Sequence, residues 1–262
     1  MKPPRNLSST KNPAVQRFRD AAVGRFDDLM LAEGVRLVGE AVAAGLEIVE
    51  AAVSPRLGDD ALRERLRERA ATFYDCSDDV LAKLSAVETP QGVAVLLRRP
   101  VADEAALLRG SLSPMVVVAA GVRDPGNLGS MLRTAEAAGA TGFLTLRGGA
   151  DPFRDKAVRG SMGSVFRLPV QHALEVEELL AFVARHRLQL VVADGGGDRA
   201  HTQADLRKPL ALVIGAEAHG VPPELLRAAT AHVRIPLRAP VESLNAAVAA
   251  GVLLFEAVRQ RS

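Results

Sequence analysis

Asn127-Leu128-Gly129-Ser130-Met131-Leu132-Arg133-Thr134-Ala135 follows a near-continuous apolar run, Met115 to Ala119, across a glycine-bearing turn. Such a run suits a strand buried on both faces of a parallel sheet. The residues from Leu128 to Ala138 read as a helix, so the stretch is a strand-to-helix handover that carries Asn127 and Arg133. In open α/β sheets, ligands bind beyond the carboxyl ends of the strands, at handovers of this kind. Two later stretches have the same character. Gly215-Ala216-Glu217-Ala218-His219-Gly220 follows the apolar run Leu210 to Ile214. Ile235-Pro236-Leu237, then Glu242-Ser243-Leu244-Asn245, lie between a short strand, Val233 to Ile235, and a long final helix, Leu244 to Arg259.

The alternation extends in both directions from this set. After Met115 to Ala119, strands are expected at Gly142 to Leu146, Val165 to Leu168, Leu190 to Ala193, Leu210 to Ile214 and Val233 to Ile235. Helices are expected from Asp155, over Val176 to Arg187, and over Pro222 to Ala229. This predicts an α/β domain with a parallel sheet over residues 106–262. A smaller α/β domain is expected over residues 1–105. Its first seven or so residues read as disordered. Asn12-Pro13 opens a helix, Gly34 to Ala44 forms another, and Ile48 to Val53 and Gly92 to Leu97 read as strands. Leu62 to Ala70 is a charged helix whose arginines and glutamates read mainly as a solvated face with near-neighbour ion pairs. Arg98 through Pro114 reads as the connection, with a helical turn at Glu104 to Leu108.

Nearly half of the 262 residues are apolar, enough to form a sizeable core without staples. Cys76 is the only cysteine, so no internal disulfide can form, which fits a reducing, cytosolic compartment. No apolar segment follows the basic N-terminal residues, so no secretory signal is expected. The longest apolar run, Ala246 to Phe255, falls short of the ~20 residues that cross a bilayer. The net charge of +2 divides as −2 over residues 1–105 and +4 over 106–262. Lys2, Arg5, Lys11, Arg17, Arg19 and Arg25 face only Asp20 in the first 25 residues. They form either a phosphate-binding arm or a frayed, solvated terminus. With no Trp and one Tyr, the chain has few aromatic platforms for stacking single-stranded bases.

Other glycine-rich chemistries fail on spacing. The glycines at 121, 126 and 129 do not match the G-x-G-x-x-G of a dinucleotide site. Gly126 is followed by Asn127, not by the Lys-Ser/Thr of a P-loop. Asp194-Gly195-Gly196-Gly197 reads as a turn, with cofactor contact the lesser alternative. The five histidines show no metal-ligand spacing, so no metal is expected. Gly160-Ser161-Met162-Gly163 is not the hydrolase G-x-S-x-G elbow and marks a tight helix-to-strand passage.

The order, spacing and residue types of the three stretches resemble the SpoU (TrmH-type) branch of the SPOUT RNA methyltransferases, over roughly Ser113 to Arg261. The resemblance implies a trefoil-knotted catalytic domain with a parallel sheet. It also implies methyl transfer from S-adenosylmethionine to a ribose 2′-hydroxyl of RNA. The backbone at Gly215, Ile235 and Leu244 would hold the adenosine part of the cofactor. Arg133 is assigned to the reacting ribose. Its guanidinium stays protonated, so stabilising a developing alkoxide and gripping phosphate suit it better than acting as a base. Asn127 would orient Arg133 or cap its helix, and Glu217 would fix Arg133 or a partner-chain arginine. Ser243 and Asn245 bracket the last helix, Ser243 as a good N-cap and Asn245 as a polar group of the site. The family forms homodimers through this domain. Part of the small-residue face Ala246, Ala247, Ala249, Ala250 and Gly251 would then be an interface, intramolecular packing being the alternative. Ala32-Glu33-Gly34 with Arg36, and Thr89-Pro90-Gln91-Gly92, resemble the family's N-terminal RNA substrate-binding domain, whose fold is similar to a small ribosomal protein.

The resemblance implies a cytoplasmic, dimeric enzyme, with ribosomal RNA favoured over tRNA by the extra N-terminal domain. Two other classes compete. A non-catalytic RNA-binding protein of the same fold is opposed by the intact set Asn127, Arg133, Glu217, Ser243 and Asn245. A Rossmann dehydrogenase is opposed by the failed glycine spacing.

Overall fold

The structure is a computed structural model that describes residues 4–216 and 220–262. In chain order its elements are β1 (Arg5–Leu7), α1 (Pro13–Ala22), β2 (Leu29–Glu33), α2 (Val35–Ala43), β3 (Ile48–Val53), α3 (Asp60–Arg69), β4 (Thr72–Cys76), α4 (Asp78–Leu84) and β5 (Val93–Arg98). There follow α5 (Glu104–Leu108), β6 (Met115–Ala120), α6 (Pro125–Ala137), β7 (Gly142–Leu146), α7 (Asp155–Ser161), β8 (Val170–Leu174), α8 (Val176–Arg185) and β9 (Gln189–Ala193). The chain closes with β10 (Arg199–Ala200), β11 (Leu210–Gly215), α9 (Pro223–Ala228), β12 (Ala231–Arg234) and α10 (Ala246–Arg261).

Two compact units form. One takes the chain up to Pro100 together with Phe153–Arg167; the other takes Val101–Pro152 and Leu168–Ser262. A contiguous division at 105/106 leaves no room for this excursion. The segment 153–167 folds with the first unit because it buries Phe153, Ala157, Val158, Val165 and Phe166, and α7 packs on β2.

The first unit is a mixed five-stranded sheet in the order β1-β4-β3-β5-β2. Its core includes Leu7, Phe18, Leu31, Ala52, Leu81 and Leu96. The start of the chain is more ordered than expected: Arg5–Leu7 pairs in parallel with β4, and Leu7 is fully buried. Asn12 caps α1 as its type suggests, accepting from Ala14 N at 2.9 Å, with Pro13 at the first helical position.

The second unit is a seven-stranded sheet in the order β10-β12-β9-β11-β6-β7-β8. Every paired strand in it is parallel. β6 lies between β11 and β7 and all its residues are buried, as its unbroken apolar sequence requires. Two expectations shift here. Val165 to Leu168 is not a strand: Ser164–Phe166 forms a 3₁₀ turn, and the strand comes after Pro169, at β8. Its apolar side chains are buried in a turn instead of a sheet, a distinction that burial alone cannot make. The passage before it is tight as anticipated, with Met162 at φ 51° and Gly163 at φ 90°, but it leads into the 3₁₀ turn and not into a strand.

Candidate cofactor and active site

The carboxyl ends of β9, β11 and β12 open onto one cavity of about 280 Å³. Gly215 ends β11, Ile235 follows β12, and Ser243 and Leu244 precede α10; all four line the cavity. Two of the three stretches, with the turn after β9, therefore meet at one sheet edge, because parallel strands all present their carboxyl ends on the same side. Residues 127–135 do not line the cavity. Aliphatic wall comes from Ile214, Val233, Ile235 and Leu244, and polar groups from Asp194 and Ser243.

Gly215 is required by close approach. A Cβ on it would lie 2.7 Å from the Gly220 carbonyl carbon and 2.8 Å from its oxygen. Ala216 and Gly220 form a bridge, with Gly220 N donating to Ala216 O at 2.9 Å. Glu217 lies outside the described residues, as do Ala218 and His219.

The glycine turn after β9 belongs to the cavity too. Ala193, Asp194 and Gly195 line it, so the reading of Asp194 to Gly197 as a turn alone is incomplete. Gly197 N donates to Asp194 O at 3.0 Å, and a Cβ on Gly197 would press on Val233 at 2.9 Å. The useful signal in the sequence was a carboxylate followed by small residues at a strand's carboxyl end.

Asn127 and Asn245 meet across 118 positions: Asn245 Nδ2 donates to Asn127 Oδ1 at 2.9 Å. Neither cap falls where the sequence put it. Asp124 caps α6, its Oδ1 accepting from Asn127 N at 2.8 Å, and Pro125 begins the helix. Asn127 is thus inside the first turn, and its side chain reaches α10. At α10 the cap is Asn245 and not Ser243. Asn245 Oδ1 accepts from Ala247 N at 2.9 Å and Val248 N at 3.3 Å, which leaves Ser243 one step further out on the cavity wall.

Arg133 lies in the middle of α6, exposed, and not among the cavity-lining residues. Among the described residues it makes no ion pair. α6 packs along α10, where Gly251 approaches Thr134: a Cβ there would stand 3.6 Å from Thr134 Cγ2. The small residues of α10 serve this intramolecular packing, with Ala246, Ala250, Leu253, Leu254 and Ala257 buried.

Cys76 is a buried thiol whose pKa burial pushes up to about 12, so it is no nucleophile at neutral pH. Among the described residues no group of three His, Cys, Asp or Glu side chains is placed to hold a metal. No helix among them is long and apolar enough to cross a membrane.

In the first unit the basic arm is partly consumed by ion pairs. Arg17 meets the buried Glu50 at 2.8 Å and Arg25 meets Asp20 at 2.7 Å, while Lys2 lies outside the described residues. Arg63 and Arg69 of α3 also turn inward, to Asp75 at 2.8 Å and to Val42 O at 2.6 Å, instead of pairing along their own helix. The two motifs quoted from this half come together: Gly34 N donates to Val93 O at 3.1 Å and Val35 N to Gln91 Oε1 at 3.0 Å.

A parallel α/β sheet whose carboxyl edge holds a cavity between main-chain turns, with no phosphate-binding glycine loop, defines a narrow class of small-ligand-binding folds. The chain belongs to the SpoU rRNA methylase family, whose pattern matches residues 114–255, more than half of its length. Residues 17–95 match the MRM3-like substrate binding domain. An uncharacterized tRNA/rRNA methyltransferase of Synechocystis is 30% identical over 98% of this chain and 94% of its own. The 23S rRNA (guanosine(2553)-2′-O)-methyltransferase RlmP of Bacillus subtilis is 29% identical over 96% of this chain and 98% of its own. Among solved structures, the SpoU methyltransferase AviRb from Streptomyces viridochromogenes in complex with the cofactor AdoMet superposes with a TM-score of 0.87. It has 29% identity and coverage of 96% of this chain and 98% of that one.

Proposed function

We propose that this protein is an S-adenosylmethionine-dependent RNA 2′-O-ribose methyltransferase that acts on ribosomal RNA. One observation carries the reading: Gly215, Ile235, Ser243 and Leu244 line a single cavity, and the Asn245–Asn127 bond ties its rim to the helix bearing Arg133.

The cavity suits the adenosine part of the cofactor. Aliphatic side chains flank a flat base, main-chain groups at Gly215 and beside Ile235 and Leu244 read its edge, and Asp194 accepts from ribose hydroxyls. The cofactor supplies an electrophilic methyl group on a sulfonium. The chain's residues then have to bring a ribose oxygen into line with it and stabilise the charge that develops there. Arg133 donates to the 2′-oxygen as negative charge builds and grips the adjoining phosphate; its guanidinium remains protonated, so the proton leaves to solvent or phosphate. Asn127 and Asn245 orient the start of both helices, Ser243 contributes a polar group at the rim, and Glu217 belongs to the proposed catalytic set. The threading implied for this half, a trefoil knot, is part of the same proposal.

Residues 1–105, joined by segment 153–167, position the RNA, and the rest of residues 106–262 carries the chemistry. A homodimer forms through the second unit. Val248, Val252 and Phe255 lie on one face of α10, all exposed, Phe255 at 51%. Such an apolar stripe on an otherwise packed helix is the kind of surface that an isologous interface covers. A cytoplasmic location is part of the same proposal.

Transfer of tritium from labelled S-adenosylmethionine into ribosomal RNA, followed by mapping of alkali-resistant ribose positions, tests the reading. The expected outcome is one protected position in rRNA. Transfer into tRNA alone would replace the substrate, and no transfer into any cellular RNA would leave an RNA-binding protein.

A further inference from the structure

The first unit holds a cavity of its own, also about 280 Å³. Leu37 and Met162 supply aliphatic wall, Arg36 supplies a guanidinium, Arg159 a second that is already paired with the buried Asp155, and Gln91 an amide. Glu33, only 7% exposed, is a buried carboxylate on the same wall. The cavity is built by constraint. Gly34 has φ +87°, and a Cβ on it would sit 2.9 Å from Gln91 Oε1. Gly92 has φ +85°, and a Cβ there would sit 2.2 Å from Leu57 N. Glu33 is held by Ala86 N at 2.9 Å and by the Ser85 hydroxyl, one partner on each oxygen. Each carboxylate oxygen has a further lone pair. Burial raises the Glu33 pKa against these bonds.

A small pocket with aliphatic walls, a cationic mouth and a buried acceptor has few complementary ligands. A peptide carboxylate would meet Glu33 with like charge, and a bare phosphate would leave the aliphatic wall unused. A nucleotide uses every part. Sequence-specific RNA recognition works on splayed-out bases bonded along their Watson–Crick edge. Guanine alone among the common bases presents two adjacent N–H donors there, a match for a carboxylate.

We propose that this cavity takes one unstacked nucleotide of the RNA, with guanine preferred. The base lies against Leu37 and Met162, its edge faces Glu33, and its phosphate rests on Arg36 and Arg159. The proposal rests on the methyltransferase reading and makes this slot an RNA anchor separate from the methyl-accepting site. Segment 153–167, which lies within the catalytic half of the sequence, completes the slot through Arg159 and Met162.

The test is a titration of the full chain, methyl-labelled at Leu and Met and saturated with S-adenosylhomocysteine, with 5′-GMP, AMP, CMP and UMP in turn. Saturation by S-adenosylhomocysteine checks the methyltransferase reading by itself, so the two can fail separately. GMP is expected to shift the Leu37 and Met162 methyl signals, binding at least about threefold tighter than UMP. Arg36 is exposed in the first turn of α2, so Arg36→Glu should melt like the parent. It should weaken GMP about tenfold and reduce the salt slope of RNA binding by about one. Shifts absent with all four nucleotides would overturn the slot. Equal binding of UMP or AMP would overturn its assignment to guanine, and unchanged GMP affinity in Arg36→Glu would overturn the phosphate contact.

Discussion

Asn245 performs two tasks with one amide. Its oxygen caps α10 and its nitrogen donates to Asn127. The tasks can be separated, since Ser is nearly as good an N-cap as Asn but too short to reach Asn127. Asn245→Ser should therefore melt close to the parent and yet lose at least about tenfold in methyl transfer. Asn245→Ala should lose about 1 kcal/mol of stability as well. Parallel thermal melts and tritium-transfer rates measure both, and an Asn245→Ser variant as active as the parent would reduce Asn245 to a cap. Arg133 offers a cleaner case, being exposed and without an ion pair among the described residues. Arg133→Ala should fold normally and bind S-adenosylmethionine within about twofold of the parent by calorimetry. It should transfer methyl at least about a hundredfold more slowly, the scale seen when a donor to a developing oxyanion is removed. A lowered melting point would point to a structural role instead.

The element that organises the site is α10, because it is fixed at both ends. Its first turn lies at the cavity rim. Its last turn is tied down by Arg261, which donates to Ser113 O at 2.7 Å, Leu206 O at 2.9 Å and Lys208 O at 2.9 Å. Glu256 accepts from Arg259 at 2.8 Å through both of its oxygens and from Gln260 Nε2 at 2.8 Å. Those bonds hold its carboxyl down to about 2 from an ordinary value of 4.5. A depressed carboxyl pKa contributes stability that is fully present above the unfolded value and is lost as pH falls through the folded one. The contribution should therefore fade between pH ~4.5 and ~2 and be constant above. Melting temperature against pH should show a shallower acid limb in Glu256→Gln than in the parent. Identical limbs would mean that the pair is not felt in stability.

At the scale of the whole molecule, the exposed stripe Val248, Val252 and Phe255 is the feature that a single chain leaves uncovered. Phe255→Glu should turn a dimer into a monomer by light scattering, with secondary structure unchanged. A parent that already runs as a monomer would remove the interface from the proposal. The fold was legible wherever burial and period coincide: β6, β9 and β11 announce themselves as apolar runs. It was illegible at Val165 to Leu168, where buried apolar residues form a 3₁₀ turn, and at Arg5–Leu7, where a polar-looking end pairs with a strand more than sixty residues away. Local pattern reports what a segment wants to bury and not what it buries it against.

The chain's linear order determined which turns stand out at strand ends, because small and polar residues there are a local property: Gly215, Ile235, Ser243 and Leu244, which line one cavity, could be picked out one stretch at a time. Only the folded molecule decided that these stretches, with Asp194, share one cavity, that Asn245 bonds to Asn127, and that Arg159 and Met162 join Glu33 and Arg36 in the other unit. Those are distances between residues far apart along the chain. They depend on how strands stack side by side, which periodicity does not encode.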